Sequence, residues 1–186
     1  MISIPKNVRF AIDQLLISKD QVLVAIDGSC TAGKTTLANA LADAYSCNVF
    51  HMDDFFLRPE QRTQERFSEA GGNVDYERFH KEVLIPLQSG LPFSYRPFNC
   101  KTMTLSDPVQ VTPKKLTIVE GTYSHHPYFR NPYDLTIYMT VSPELRHSRI
   151  LERPAFLHEK FFNFWIPLEQ EYFRTFSIGN QADLIL

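Results

Sequence analysis

The sequence predicts an α/β fold in which a parallel sheet is covered by helices on both faces, and three observations predict it. Short apolar runs, among them VLVAID, LTIV and DLTIYMTV, alternate along the chain with segments whose apolar residues recur at helical spacing. The first of these runs ends in a glycine and is followed at once by an Ala/Leu-rich stretch, giving strand, glycine loop and helix in that order. The later runs are continuous rather than alternating, as in strands buried on both faces. At 186 residues the chain is most simply one domain, long enough to bury roughly two-thirds of its unfolded surface.

Each element follows in turn. Val8, Ile12, Leu15 and Leu16 lie at helical spacing, so the N-terminal segment predicts an amphipathic helix packed on the outside of the domain. QVLVAID forms the first strand, LANALADAYS the helix after the glycine loop, and NVFHMDD a second strand ending in acid. RPEQRTQERFSEAGGNVD is polar, contains glycine and has no clear period, which predicts a long loop, and loops of that length are usually functional or disordered. YERFHKEVLIPLQSG is helical through Phe79, Val83, Leu84 and Leu87 and closes at Gly90. FSYRPFN with residues 101–111 predicts a hairpin arm, and KLTIVEG and DLTIYMTV two buried strands. LRHSRILER and HEKFFNFWIPLEQEYFRTF are helical, and ADLIL is a closing strand.

Composition excludes several classes. A formal net charge of -2 with both signs dispersed gives no basic face of the kind nucleic acid requires. Cys30, Cys47 and Cys100 are scattered without C-x-x-C spacing, so neither a disulfide framework nor a zinc site is expected. The opening twenty residues carry charges throughout and no long apolar run, so no membrane partner is expected and the location is read as cytoplasmic. The oligomeric state stays open.

The stretch DGSCTAGKTT matches G-x-x-x-x-G-K-[ST] in full, with Gly28, Gly33, Lys34 and Thr35 in the fixed places. Such a loop works because its backbone N–H groups surround phosphate while the next helix presents the positive end of its dipole. The segment from Gly28 through Ser29, Cys30, Thr31, Ala32, Gly33, Lys34, Thr35 and Thr36 is thus the expected nucleotide cradle. Lys34 is expected at the β- and γ-phosphates and Thr35 at Mg²⁺. Ligands of open α/β sheets gather beyond the carboxyl ends of strands, which singles out Asp53, Asp54 and Glu120. Phosphoryl transfer needs one carboxylate for the attacking hydroxyl and acid near the metal, and Asp53 and Glu120 divide that labour in this reading; Asp54 is equally a turn cap. No N-K-x-D or D-x-x-G segment occurs in a useful position, which disfavours a guanine-reading switch and favours an acceptor kinase.

Taken together, IDGSCTAGKTTLA, HMDDFF, NVDYERF and IVEGTY resemble the uridine kinase-like family of P-loop kinases, which includes uridine/cytidine kinases, nicotinamide riboside kinases and phosphoribulokinases. The resemblance runs from about Val22 to the last strand. It implies a P-loop NTPase-type three-layer sandwich with a five-stranded parallel sheet, a substrate-binding insertion over about 54–111 and a lid over 143–160. It further implies ATP and Mg²⁺ as cofactors and transfer of the γ-phosphoryl group to a hydroxyl of a small molecule, a nucleoside first. By the same likeness Asp53 is the base for that hydroxyl and lies near Mg²⁺, and Glu120 is the acid after the Walker-B-type strand. Asp75 resembles the aspartate that grips ribose hydroxyls, and Tyr95 an aromatic lining the base pocket. Arg146 and Arg149, three apart on one helix face, resemble the family's substrate- and phosphate-contacting pair, with Arg153 a turn later and Pro154 shortening the lid. Cys100 departs from the pattern, standing where uridine kinases carry a histidine, and a thiol is a poor hydrogen-bond partner. Nicotinamide riboside, pantothenate or a sugar are the alternative acceptors, GTP the alternative donor, and a regulator that binds ATP without transfer the alternative class.

Three further features carry expectations. His125-His126 before Pro127 reads as a loop at the site's mouth, with substrate contact as the sharper reading. Phe161, Phe164, Trp165 and Leu168 lie at helical spacing and read as core. Cys30, inside the loop at a helix N-terminus, is expected to have a lowered pKa and a side chain turned away from phosphate.

Overall fold

The computed structural model describes residues 3–186. Helix α1 (Lys6–Ser18) leads into β1 (Val22–Gly28), α2 (Lys34–Ala44) and β2 (Cys47–His51). A 3₁₀ turn (Met52–Phe55), a second (Pro59–Gln61) and α3 (Gln64–Ser68) precede a long helical stretch made of α4 (Tyr76–Phe79), a π-helical turn (His80–Leu84) and α5 (Ile85–Ser89). Four short strands follow: β3 (Phe93–Tyr95), β4 (Phe98–Asn99), β5 (Thr104–Leu105) and β6 (Val109–Val111). β7 (Leu116–Glu120), β8 (Leu135–Met139) and α6 (Pro143–Leu151) come next. The chain closes with α7 (His158–Lys160), a π-helical turn (Phe161–Trp165), α8 (Ile166–Thr175), α9 (Ile178–Gln181) and β9 (Leu184–Ile185).

The central sheet has five parallel strands in the order β2-β7-β1-β8-β9. Its strands are buried on both faces, and neighbouring residues show it. Ile118 packs in a cluster with Val8 and Ile12 of α1 and Leu37, Ala38 and Leu41 of α2, whereas Val119 packs in a second cluster with Phe50, Phe55, Phe79, Val83 and Tyr172. Side chains one apart on a strand point to opposite faces, so two adjacent apolar residues need two separate cores. This is why the strands read as unbroken apolar runs. Register then places Ile26 beside Glu120 and Glu120 beside His51, so the acid lies at the carboxyl edge of the sheet between two neighbours.

The hairpin arm forms as expected, β3 pairing with β6 and β4 with β5, both antiparallel. Residues 58–75 differ from the expected loop in containing the 3₁₀ turn and α3. Polar contacts order this segment, which explains its missing apolar period. Thr63 caps α3 by accepting from the Arg66 N–H at 3.1 Å, and Arg66 donates to the carbonyls of Gly72 and Val74 and to both oxygens of Glu77. Phe56 bridges to Val74 across the segment.

The C-terminal helical stretch also departs from expectation. Ile166, Glu169 and Tyr172 are its buried residues, while Phe161, Phe164, Trp165 and Leu168 are only partly buried. The π-helical turn adds a residue to one turn and shifts the phase of the buried face. No helix of the described residues is long and apolar enough to cross a membrane.

Candidate active site

The glycine loop leaves β1 against β8. Gly28 has φ +137°, and a Cβ there would lie 1.9 Å from the Met139 carbonyl oxygen, so no other residue fits. The Ser29 N–H donates to that same oxygen at 3.0 Å, and Gly33, at φ +96°, turns the chain into α2. Cys30 through Thr36 line one cleft of about 830 Å³, whereas Gly28 and Ser29, expected in the cradle, do not line it. Lys34 is buried, and its Nζ donates to the carbonyls of Gly28 at 2.7 Å and Ser29 at 2.8 Å. Its hydrogen bonds go to neutral carbonyls while Asp53 and Glu169 are its nearby charges, an arrangement suited to an ammonium that turns to a polyanion.

Thr35 stands one residue on, its Oγ1 donating to Glu120 Oε1 at 3.0 Å. The same Glu120 oxygen lies 2.6 Å from His51 Nδ1, and this contact raises the histidine's pKa against the opposing pull of burial. Asp53 lines the cleft as well. Solvent reaches it, yet protein surrounds it at the cleft floor; burial and then the Glu120 charge raise its pKa, while Lys34 and His51 pull it down. Thr35, Asp53 and Glu120 offer only hard oxygen donors, the set Mg²⁺ takes when phosphate oxygens and water complete its octahedron. Among the described residues no group of three or more His, Cys, Asp or Glu side chains converges on a metal by itself.

Arg149 and Arg153 line the cleft from the end of α6 and beyond it, and Arg149 donates to the Thr31 carbonyl at 2.7 Å. Other expected residues lie elsewhere. Arg146, expected at the substrate, is paired with buried Glu169 at 3.2 Å. Asp75, expected at ribose hydroxyls, is 2% exposed, caps α4 by accepting from the Arg78 N–H, and sits 3.4 Å from Arg78 Nε and 3.8 Å from Arg58 Nε. Tyr95, expected in a base pocket, is buried between Phe50 and Phe55, its hydroxyl donating to Asp54 at 3.3 Å. Asp75 spends only Oδ1 in the cap, and its Oδ2 has no hydrogen-bond partner among the described residues. Cys100 is exposed.

Cys30 corrects a further expectation: its thiol is pushed up to about 12, by burial and by neighbouring Glu169, which outweigh the opposing charges of Arg146 and Lys34. Phe161 and Trp165, expected in the core, line the cleft. His125 and His126 are not a pair at the mouth. His126 is buried and stacked on Tyr76 at 4.3 Å, its pKa lowered to about 4 by burial, while the His125 backbone N–H donates to Asp27 at 2.9 Å.

Two carboxylates of the site have no counterpart among the sequence expectations. Asp27, fully buried, accepts from the N–H groups of Gly28, Tyr123 and His125 and from the Tyr172 hydroxyl. It thereby ties the glycine loop to the segment after β7 and to α8. The signal was present, since an acid inside a buried apolar strand requires several donors. Glu169, 2% exposed, accepts from the Cys30 N–H at 2.9 Å and from Arg146. Nothing in its local sequence marks it, because its partners are far away along the chain.

No family model matches the sequence, and no curated protein does. Among solved structures, one described as a possible uridine kinase from Bacillus stearothermophilus is 22% identical, with a TM-score of 0.65 over 97% of this chain and 99% of that one. Another, a candidate fructose transport system kinase from a Silicibacter species, is 18% identical, with a TM-score of 0.66 over 100% of both chains. At these identities the likeness is one of fold: the chain shares the α/β fold of these two structures, a five-stranded parallel sheet flanked by helices with its glycine loop between β1 and α2.

Proposed function

We propose that the chain is a kinase that uses ATP and Mg²⁺ to transfer the γ-phosphoryl group to a hydroxyl of a small molecule. One observation carries the reading: buried Lys34, the Thr35–Glu120 pair and Asp53 converge on a single cleft. Each part alone occurs in proteins of many kinds; the combination matches what phosphoryl transfer needs.

In this reading the loop amides from Gly33 to Thr36 and the Lys34 ammonium hold the triphosphate, the Cys30 N–H being already given to Glu169. Thr35, Glu120 and Asp53 hold the metal, which when bound spreads the charge of the phosphate oxygens. Asp53 Oδ accepts the proton of the acceptor hydroxyl, and its raised pKa suits a group that must take a proton and release it. Arg149, with Arg153 beside it, neutralises charge on the transferring group. Residues 143–160 would close over the nucleotide, and parts of 54–111 would form the acceptor wall. A cytoplasmic location fits the use of ATP. The resemblance makes a nucleoside the first acceptor to try, while the names of the structural relatives divide between uridine and a fructose transport system.

The test pairs nucleotide binding with turnover. Asp53→Asn is expected to bind ATP within a few-fold of the parent and to lose at least about a hundredfold in turnover. Unchanged turnover would remove Asp53 from the role, and a parent protein that does not bind ATP would end the reading.

A further inference from the structure

We infer that His51, taking the kinase reading as given, is a positioning residue for the metal site: it holds the Glu120 carboxylate so that one of its oxygens is left for Mg²⁺. His51 ends β2 and lies level with Glu120, the last residue of β7, in the parallel register. Side chains level with each other on adjacent strands share a face, and here His51 Nδ1 reaches Glu120 Oε1 at 2.6 Å. A carboxylate can only accept, so Nδ1 carries the proton and donates. The Thr35 hydroxyl donates to the same Oε1 at 3.0 Å. Both donors therefore fall on one oxygen, and Oε2 makes no hydrogen bond among the described residues.

Packing does not account for an imidazole at this place. β2 is an edge strand, and the His51 side chain is 37% exposed, so the core does not specify it. Its ring makes no other hydrogen bond among the described residues, and it does not line the cleft that Glu120 lines. His51 can thus act on a bound ligand only through Glu120. The need for it is electrostatic. Asp53 and Glu120 line one cleft as two like charges, and repulsion between them favours any rotamer that turns Glu120 away. Asp53 follows His51 by two residues, on the 3₁₀ turn Met52–Phe55, so the bond from His51 ties together the two segments that carry the two acids. Without it Glu120 is held by the Thr35 hydroxyl alone, a group itself assigned to the metal.

The test reads metal-dependent nucleotide binding rather than turnover. Calorimetry measures the affinity of the full chain for the non-hydrolysable nucleotide AMP-PNP in EDTA and in excess Mg²⁺, for the parent and for His51→Phe, His51→Ala and His51→Asn. The first variant keeps a ring and the second removes it, and neither side chain can donate; the amide of the third restores a donor close to the Nδ1 position. His51→Phe and His51→Ala are expected to lose about tenfold or more of the affinity that Mg²⁺ adds, as loss of an orienting partner does at metal sites. Their affinity in EDTA should stay within about twofold of the parent, and His51→Asn should keep the Mg²⁺ gain within about threefold. If His51→Phe does not fold, His51→Ala carries the comparison. A parent-like gain in either donor-free variant, an equal loss with and without the metal, or a His51→Asn no better than His51→Ala would overturn the positioning role and leave the kinase reading standing. A parent that binds nucleotide but gains nothing from Mg²⁺ would overturn the role together with the metal assignment, and a parent that binds no nucleotide would overturn the kinase reading as well.

Discussion

The two ends of the cleft are built by different means. The phosphate end is made of main chain: a glycine with no room for a Cβ, a lysine folded onto its own loop's carbonyls and a helix starting at Gly33. The rest of the cleft wall includes side chains from distant segments, Asn73, Glu169 and Trp165, of which Glu169 reaches back to the Cys30 N–H of the loop itself. A backbone site is fixed by local spacing, so one short motif describes it. A side-chain site depends on the packing of the whole molecule, and the same motif says nothing of it.

Substitutions sharpen that difference, beginning with the largest effect. Lys34→Ala should remove nucleotide binding and lower turnover by about a thousandfold, since a charge aimed at the transferring group is lost. Equilibrium binding of a fluorescent ATP analogue checks this, and parent-like affinity would break the assignment of the phosphate end.

Next comes a pH effect at buried His126, stacked between Tyr76 and Tyr172. Buried His126 holds its pKa near 4, whereas in the unfolded chain it returns to about 6.5. Below that value the unfolded state takes up a proton that the folded state refuses. Stability from this residue is therefore complete above about pH 6.5 and is lost as pH falls to about 4, by roughly 3 kcal/mol. Urea denaturation at pH 7 and pH 4 should show a smaller acid loss in His126→Phe than in the parent; equal losses would contradict it.

Glu169→Gln should have a middling effect. The amide oxygen still accepts from the Cys30 N–H, but the ion pair with Arg146 is gone. Turnover should fall about tenfold, with an unfolding free energy within about 1 kcal/mol of the parent. A large loss of stability without loss of rate would make Glu169 purely structural. Tyr95→Phe should do least. It removes one hydrogen bond to Asp54 and about 1 kcal/mol of stability, with acceptor KM unchanged; a large rise in KM would return Tyr95 to the substrate.

The same contrast explains what could be read in the sequence. The sheet strands were legible because burial on both faces leaves unbroken apolar runs, and the glycine loop because its spacing is rigid. The ordering of residues 58–75 was hidden, for Arg66 organises that stretch through carbonyls and Glu77 rather than through an apolar stripe. The π-helical turn at Phe161–Trp165 misplaced a helix face, since a regular period was assumed. Asp75 and Tyr95 carry packing contacts as well, Asp75 capping α4 and Tyr95 donating to Asp54, and no local pattern reveals those contacts. Glu169 lies 139 residues from Cys30 and was invisible for that reason.

Asp27 has a wider consequence. Because one carboxylate accepts from Gly28 and from the Tyr172 hydroxyl, the glycine loop and the C-terminal helix stand or fall as a unit. A protease nick between α7 and α8 would leave a molecule competent only while the severed piece stayed docked. Two co-expressed fragments divided there should regain function together, and neither should possess it alone.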